Sequence, residues 1–223
     1  GDFSKATSLD FSHDVSSSFD YLLSRPEVDK KRAGLIGHSE GGMIAPMVAV
    51  SRKDISFIVL LAAPGVPIIE LMAEQNEAIA RSAGVSNKTL EEIKPLYRKV
   101  VNAILETADS SSAITRTSQI IENWYVNKDK DVLEELNMVT AEQRNKYVRE
   151  MVKGLQSPWF RYFLKFDPAQ YLEQLKCKVL ALNGDKDIQV TSRQNLPGID
   201  AALKKSRSKN YEIKELTGLN HLF

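Results

Sequence analysis

The hydrophobic pattern changes period several times along this chain. From Phe11 to Leu23 the apolar positions Phe11, Val15, Phe19, Leu22 and Leu23 recur at helical spacing. They predict an amphipathic helix that ends near Arg25-Pro26. Residues 1–10 are polar and read as a loop. Asp29–Arg32 is a charged turn, followed by a short apolar strand at Leu35-Ile36, a glycine-rich turn and a buried helix over Met43–Val50. Ile55 to Ala63 is almost continuously apolar and β-branched, as a parallel strand buried on both faces would be, and Pro64-Gly65 stops it. From about Val66 to Gln174 helical patterns dominate. Thr89 with Glu92 and Thr140 with Gln143 read as capping boxes. Ser157-Pro158 reads as an N-cap with proline at the first helical position, and Pro168 marks a start after Asp167. Lys178–Gly184 is again a buried strand. Thr191–Lys205 reads as a helix broken at Pro197-Gly198, and Tyr211–Leu216 alternates like a half-exposed edge strand.

Strands that alternate with helices imply a parallel sheet, with function at the carboxyl ends of its strands. The helical block between two buried strands is then an insertion. The expected organisation is a core over residues 1–65 and 175–223, with an all-helical cap over 66–174 roofing the site. A chain of 223 residues is long enough for one large core with an inserted subdomain.

Composition narrows function mainly by exclusion. The chain is 43% hydrophobic and 26% charged with a net charge of +1, so no overall field favours nucleic acid or an anionic membrane. No apolar run reaches membrane-spanning length, and no signal peptide is expected. The single cysteine, Cys177, excludes an internal disulfide without fixing the compartment, and is expected as a buried strand-edge residue. The three histidines, His13, His38 and His221, are far apart and lack metal-ligand spacing, so no metal is expected. Lys128–Asp131 reads as a solvated turn. The opening Gly1-Asp2-Phe3 reads as the start of an excised fragment.

The candidate chemistry starts at Gly37-His38-Ser39-Glu40-Gly41. A serine on a sharp turn between strand and helix stands above the sheet edge, and the flanking glycines let strand and helix cross closely. The helix N-terminus aims backbone N–H groups and its positive dipole end at the same place. Two further strand ends carry reactive residue types, at Asp185 or Asp187 and at His221. Asp187 follows Ser39 by 148 positions and His221 follows Asp187 by 34. A serine hydroxyl needs a base, histidine titrates near working pH, and a carboxylate orients the imidazole. His38 is expected to pack under the turn, and His13 to have a surface or packing role on the first helix.

Gly37-His38-Ser39-Glu40-Gly41-Gly42, Gly184-Asp185-Lys186-Asp187 and Leu219-Asn220-His221-Leu222-Phe223 resemble, in order, the three triad segments of α/β-hydrolase-fold serine hydrolases with a helical cap. The nearest subgroup is that of bacterial carboxylesterases with a G-H-S-E-G-G nucleophile elbow. The resemblance implies Ser39 as nucleophile, His221 as base and Asp187, three residues after the strand-end Gly184, as the acid. Asp185 would then be a turn residue. The resemblance also implies the backbone N–H of Glu40 as one oxyanion donor; a cap that roofs the site limits the expected substrate to a small to medium carboxylic ester, and no cofactor is implied. Trp159, Phe160, Tyr162, Phe163 and Phe166 form an aromatic cluster in which Trp159 and Phe160 could line an acyl pocket. The family carries upstream strands and a His-Gly-type loop for a second oxyanion donor, so the expected core is truncated at its N-terminus. One missing donor costs on the order of 100- to 1000-fold in rate. A truncated core also leaves an exposed strand edge. A peptidase or acyltransferase on the same triad, or a non-catalytic binding module, are the alternatives.

Overall fold

The computed structural model describes residues 3–208 and 210–223. After a 3-10 turn at Phe3–Lys5 the order is α1 (Ser8–Ser24), β1 (Leu35–His38), α2 (Glu40–Ser51) and β2 (Phe57–Leu61). Six helices follow, α3 (Ile68–Ser82), α4 (Asn87–Leu105), α5 (Ser110–Tyr125), α6 (Lys130–Glu135), α7 (Ala141–Leu155) and α8 (Pro158–Leu164). The chain ends with α9 (Ala169–Leu172), β3 (Lys178–Gly184), α10 (Ser192–Lys205) and β4 (Tyr211–Leu216).

Among the described residues four strands form one parallel sheet in the order β1-β2-β3-β4. Every carboxyl end therefore lies on the same side. β1 and β4 are the edges, and Ile36 on β1 is 70% exposed. Ile58 and Leu60 from β2 and Val179 and Ala181 from β3 pack with Phe19 of α1, Val48 of α2, Leu172 of α9 and Ile199 of α10 in one apolar cluster. A second cluster fills the space among α3, α4, α5 and α7, centred on Val100, Ile104, Ile121 and Val148. Met43 and Met47 of α2 join the two regions.

Several local expectations need correction. Helix α1 starts at Ser8, inside the stretch read as loop, because Thr7 and Asp10 form a reciprocal capping box. Thr89 is not an N-cap. Ser86 caps α4 by accepting from the Thr89 N–H, and Glu92 instead accepts from Trp124 and Lys128. The Thr140–Gln143 box and the Ser157 cap before Pro158 are present as read. Helix α10 runs unbroken through Pro197-Gly198. Pro197 removes one N–H from the ladder and its ring crowds the Arg193 carbonyl, yet the helix continues past it to Lys205. Cys177 is half-buried, one residue before β3, and burial pushes its thiol upward.

Candidate active site

Ser39 joins β1 to α2 in a conformation that few L-residues adopt, with φ 55° and ψ −117°. Such a backbone costs on the order of 1–3 kcal/mol and persists only where its surroundings hold it. Here the Ser39 N–H donates to the Leu61 carbonyl at 2.9 Å, and its own carbonyl accepts from the Gly42 N–H at 2.9 Å. The close crossing of strand and helix rests on Gly37 and Gly42. A Cβ at Gly37 would overlap the Gly41 carbonyl, and one at Gly42 would overlap the Ala63 side chain. A Cβ at Gly41 would meet nothing, contrary to the role the spacing assigns it. The N–H of Glu40 stands in the first turn of α2, where backbone N–H groups have no partner within the helix.

Asp187 and His221 are brought together. Asp187 Oδ2 lies 2.9 Å from His221 Nδ1, and the carboxylate side chain has no exposed surface. Its Oδ1 accepts from the N–H groups of Gln189 at 2.8 Å and Val190 at 2.9 Å, so both oxygens are held. A carboxylate accepts only, so His221 Nδ1 carries the proton and Nε2 of the neutral ring keeps the lone pair. Asp185 accepts from the Gly218 N–H at 2.7 Å and fixes the turn after β4.

That turn carries His221 back across the sheet. The Lys186 N–H donates to the Leu219 carbonyl at 2.9 Å, and this carbonyl sits where a Cβ of Gly184 would be. The His221 ring then lies 4.7 Å from the ring of His38, the residue before Ser39. His38 does not pack under the turn. It is exposed, and its Nε2 donates to the His221 carbonyl at 2.7 Å. No hydrogen bond joins Ser39 Oγ to His221 among the described residues, and such bonds are often long until substrate is bound.

The Glu40 carboxylate points away from this chemistry. Its Oε1 accepts from Ser8 Oγ at 2.6 Å and from the Trp159 indole N–H at 2.8 Å. Trp159 stacks on Phe163 at 5.1 Å between centroids and meets Phe160 edge-on at 5.2 Å. Trp159 thus touches the residue next to Ser39, while Phe160 lies one ring further into the helical segment. His13 is exposed on α1. Neither His38 nor Ser8 was singled out from sequence for a part in this site, and only their distant partners reveal one. Among the described residues no group of three or more His, Cys, Asp or Glu could hold a metal ion, and no helix is long and apolar enough to cross a membrane.

Comparison with known proteins places this geometry in context. The family model described as BAAT / Acyl-CoA thioester hydrolase C terminal matches residues 16–221. No curated protein matches the chain. Among solved structures, an esterase from Pyrococcus furiosus is similar at a TM-score of 0.50 and 14% identity, over 95% of this chain and 54% of that one. A hydrolase from Pseudomonas aeruginosa is similar at 0.46 and 16%, over 97% of this chain and 65% of that one. A carboxylesterase structure from Nitrososphaera gargenis is similar at 0.49 and 18%, over the whole of this chain and 67% of that one. The chain therefore spans less than two thirds of the Pyrococcus and Pseudomonas proteins.

Proposed function

The chain belongs to the BAAT / acyl-CoA thioester hydrolase C-terminal family, and from that premise we propose that it hydrolyses acyl esters through Ser39, His221 and Asp187. The observation that carries the reading is the held Asp187–His221 pair at the same sheet end as the strained Ser39 turn. His221 Nε2 takes the Ser39 proton, and Ser39 Oγ attacks the acyl carbon. The resulting oxyanion is held by N–H groups that include that of Glu40. His221 then protonates the leaving group, and an acyl-enzyme remains. Water, deprotonated by His221, attacks the acyl carbon, and Ser39 leaves with the proton. Asp187 keeps the imidazole in the required tautomer and stabilises the imidazolium.

The substrate in this reading is a small to medium acyl ester. The helical segment over 66–174 acts as a cap, with Trp159 and Phe160 in the wall that receives the acyl chain. The family description favours a second version of the leaving group, a thiol in place of an alcohol. The same triad serves both.

The deciding experiment is intact-mass labelling with a fluorophosphonate, on the chain and on Ser39→Ala and His221→Ala. Stoichiometric labelling that both variants lose supports an activated serine. Turnover of matched oxygen esters and thioesters then separates the two leaving groups. Release of an amine, or transfer to an acceptor other than water, would instead indicate a peptidase or an acyltransferase. A folded chain that takes no label would sink the hydrolytic reading and favour a binding module.

A further inference from the structure

A cavity of about 230 Å³ lies in the helical segment among α3, α4 and α7. Leu96, Leu136, Met138 and Met151 give it an apolar wall, and no charged residue lines it. Neither Ser39, Asp187 nor His221 takes part. Tyr97 lines this cavity and is 6% exposed. Its hydroxyl is buried and has no hydrogen-bond partner. A buried hydroxyl without a partner is unfavourable and calls for a specific explanation. Asn76, the amide on the wall, gives one N–H to the Met72 carbonyl at 2.8 Å, and no hydrogen bond joins it to Tyr97 among the described residues.

The chemistry of an occupant follows from the wall. Burial pushes the Tyr97 phenol well above its ordinary value and that of the neighbouring Tyr147 up to about 12. Both therefore keep their protons at neutral pH, and Tyr97 presents an O–H donor. The absence of charge on the wall disfavours an ionic ligand. A dry cavity of about 150 Å³ lined by aliphatic and aromatic side chains takes up benzene. This one is larger, which leaves room for a ring and a short functional group.

We propose that this cavity is a binding site for a small uncharged carbonyl compound, one ring or a short chain carrying a single C=O, whose oxygen accepts from Tyr97. The site is independent of the hydrolytic reading, and its test does not use turnover.

The test compares acetophenone with ethylbenzene, which has nearly the same shape and no acceptor. Both are titrated into the full chain, with binding followed by calorimetry or ligand-observed NMR. Acetophenone is expected to bind about fivefold more tightly, the factor expected for one neutral hydrogen bond. In Tyr97→Phe the two ligands should bind alike. Met151→Trp, which fills the cavity, should bind neither, with circular dichroism confirming the fold. Equal affinity of wild type for the two ligands overturns the proposal, as does no binding of either at millimolar concentration. The wild-type comparison decides the matter even if a variant fails to fold.

Discussion

The indole N–H of Trp159 donates to Glu40 Oε1 at 2.8 Å, so helix α8 is tied directly to the residue that follows Ser39. Ser8, fully buried at the start of α1, donates to the same oxygen at 2.6 Å. Three regions far apart in sequence meet on one carboxylate oxygen. Hydrogen bonds to a charged group contribute about 1.5–3 kcal/mol each. Glu40→Ala, which removes both bonds, is therefore expected to destabilise by about 3–6 kcal/mol. Trp159→Phe, which keeps a ring and removes one bond, is expected to cost about 1.5–3 kcal/mol. The double variant should lose less than the sum, because both substitutions break the same contact. Urea denaturation of the four proteins measures the coupling, and strictly additive losses would show that the tether contributes nothing.

The backbone at Ser39 offers a separate test of stored strain. With φ at 55° the residue sits where glycine is comfortable and alanine is not. Relief of about 1–3 kcal/mol of strain, less about 0.5–1 kcal/mol for the greater chain entropy of glycine, leaves a gain of about 1 kcal/mol. Ser39→Gly should thus be more stable than Ser39→Ala by about that amount, while neither takes up a fluorophosphonate. Thermal unfolding of the pair reads the difference. Equal stabilities would mean that the turn is not strained.

His38 reaches across the sheet to the backbone of His221, with Nε2 2.7 Å from that carbonyl. If His221 is the base, as proposed, His38 holds it through this carbonyl and through the ring contact at 4.7 Å, as a positioning residue. His38→Ala should slow fluorophosphonate labelling and kcat by roughly tenfold, within the range for misplacing a catalytic group by about 1 Å. KM should change little. His38→Gln, which restores an N–H donor, should recover part of the loss. A KM effect with unchanged kcat would instead place His38 in substrate binding.

Much of the fold was legible because its signals are local. The apolar runs at Phe57–Leu61 and Lys178–Gly184, the alternation at Tyr211–Leu216 and the Thr140–Gln143 box each depend on neighbouring residues, and each is present. The departures are also local: the polar composition of residues 1–10 hides the Thr7–Asp10 capping signal, and Thr89, itself a good cap type, masks Ser86. The candidate site is read from sequence as residue types at strand ends, and the fold brings Asp187 and His221 of that set within hydrogen-bond distance. Its wiring is not legible in the sequence. Only the fold shows that Asp187 Oδ1 is held by Gln189 and Val190 while Asp185 turns to Gly218. Nor could any pattern near Glu40 reveal that its carboxylate bonds Ser8 and Trp159, since 119 positions separate Glu40 from Trp159.

Glu74 provides the pH prediction. It is 5% exposed on α3, with Lys94 at 2.5 Å and Arg193 at 2.6 Å. Burial alone would raise its carboxyl, but the hydrogen bonds from Lys94 and Arg193 outweigh burial and hold it below the ordinary 4.5. The unfolded chain therefore binds the proton more readily than the folded one. The stabilisation this carboxylate gives is fully present above about pH 4.5 and is lost as pH falls through its lower folded value. Glu74→Gln keeps the shape and removes the charge. At pH 7 it should be less stable by about 1–3 kcal/mol, between the values for exposed and buried pairs, since Arg193 remains largely in water. As the pH drops from 5 towards 3 the gap to wild type should narrow, because wild type alone loses this contribution. Urea midpoints across that range measure the gap, and a constant difference would show that Glu74 does not titrate with folding.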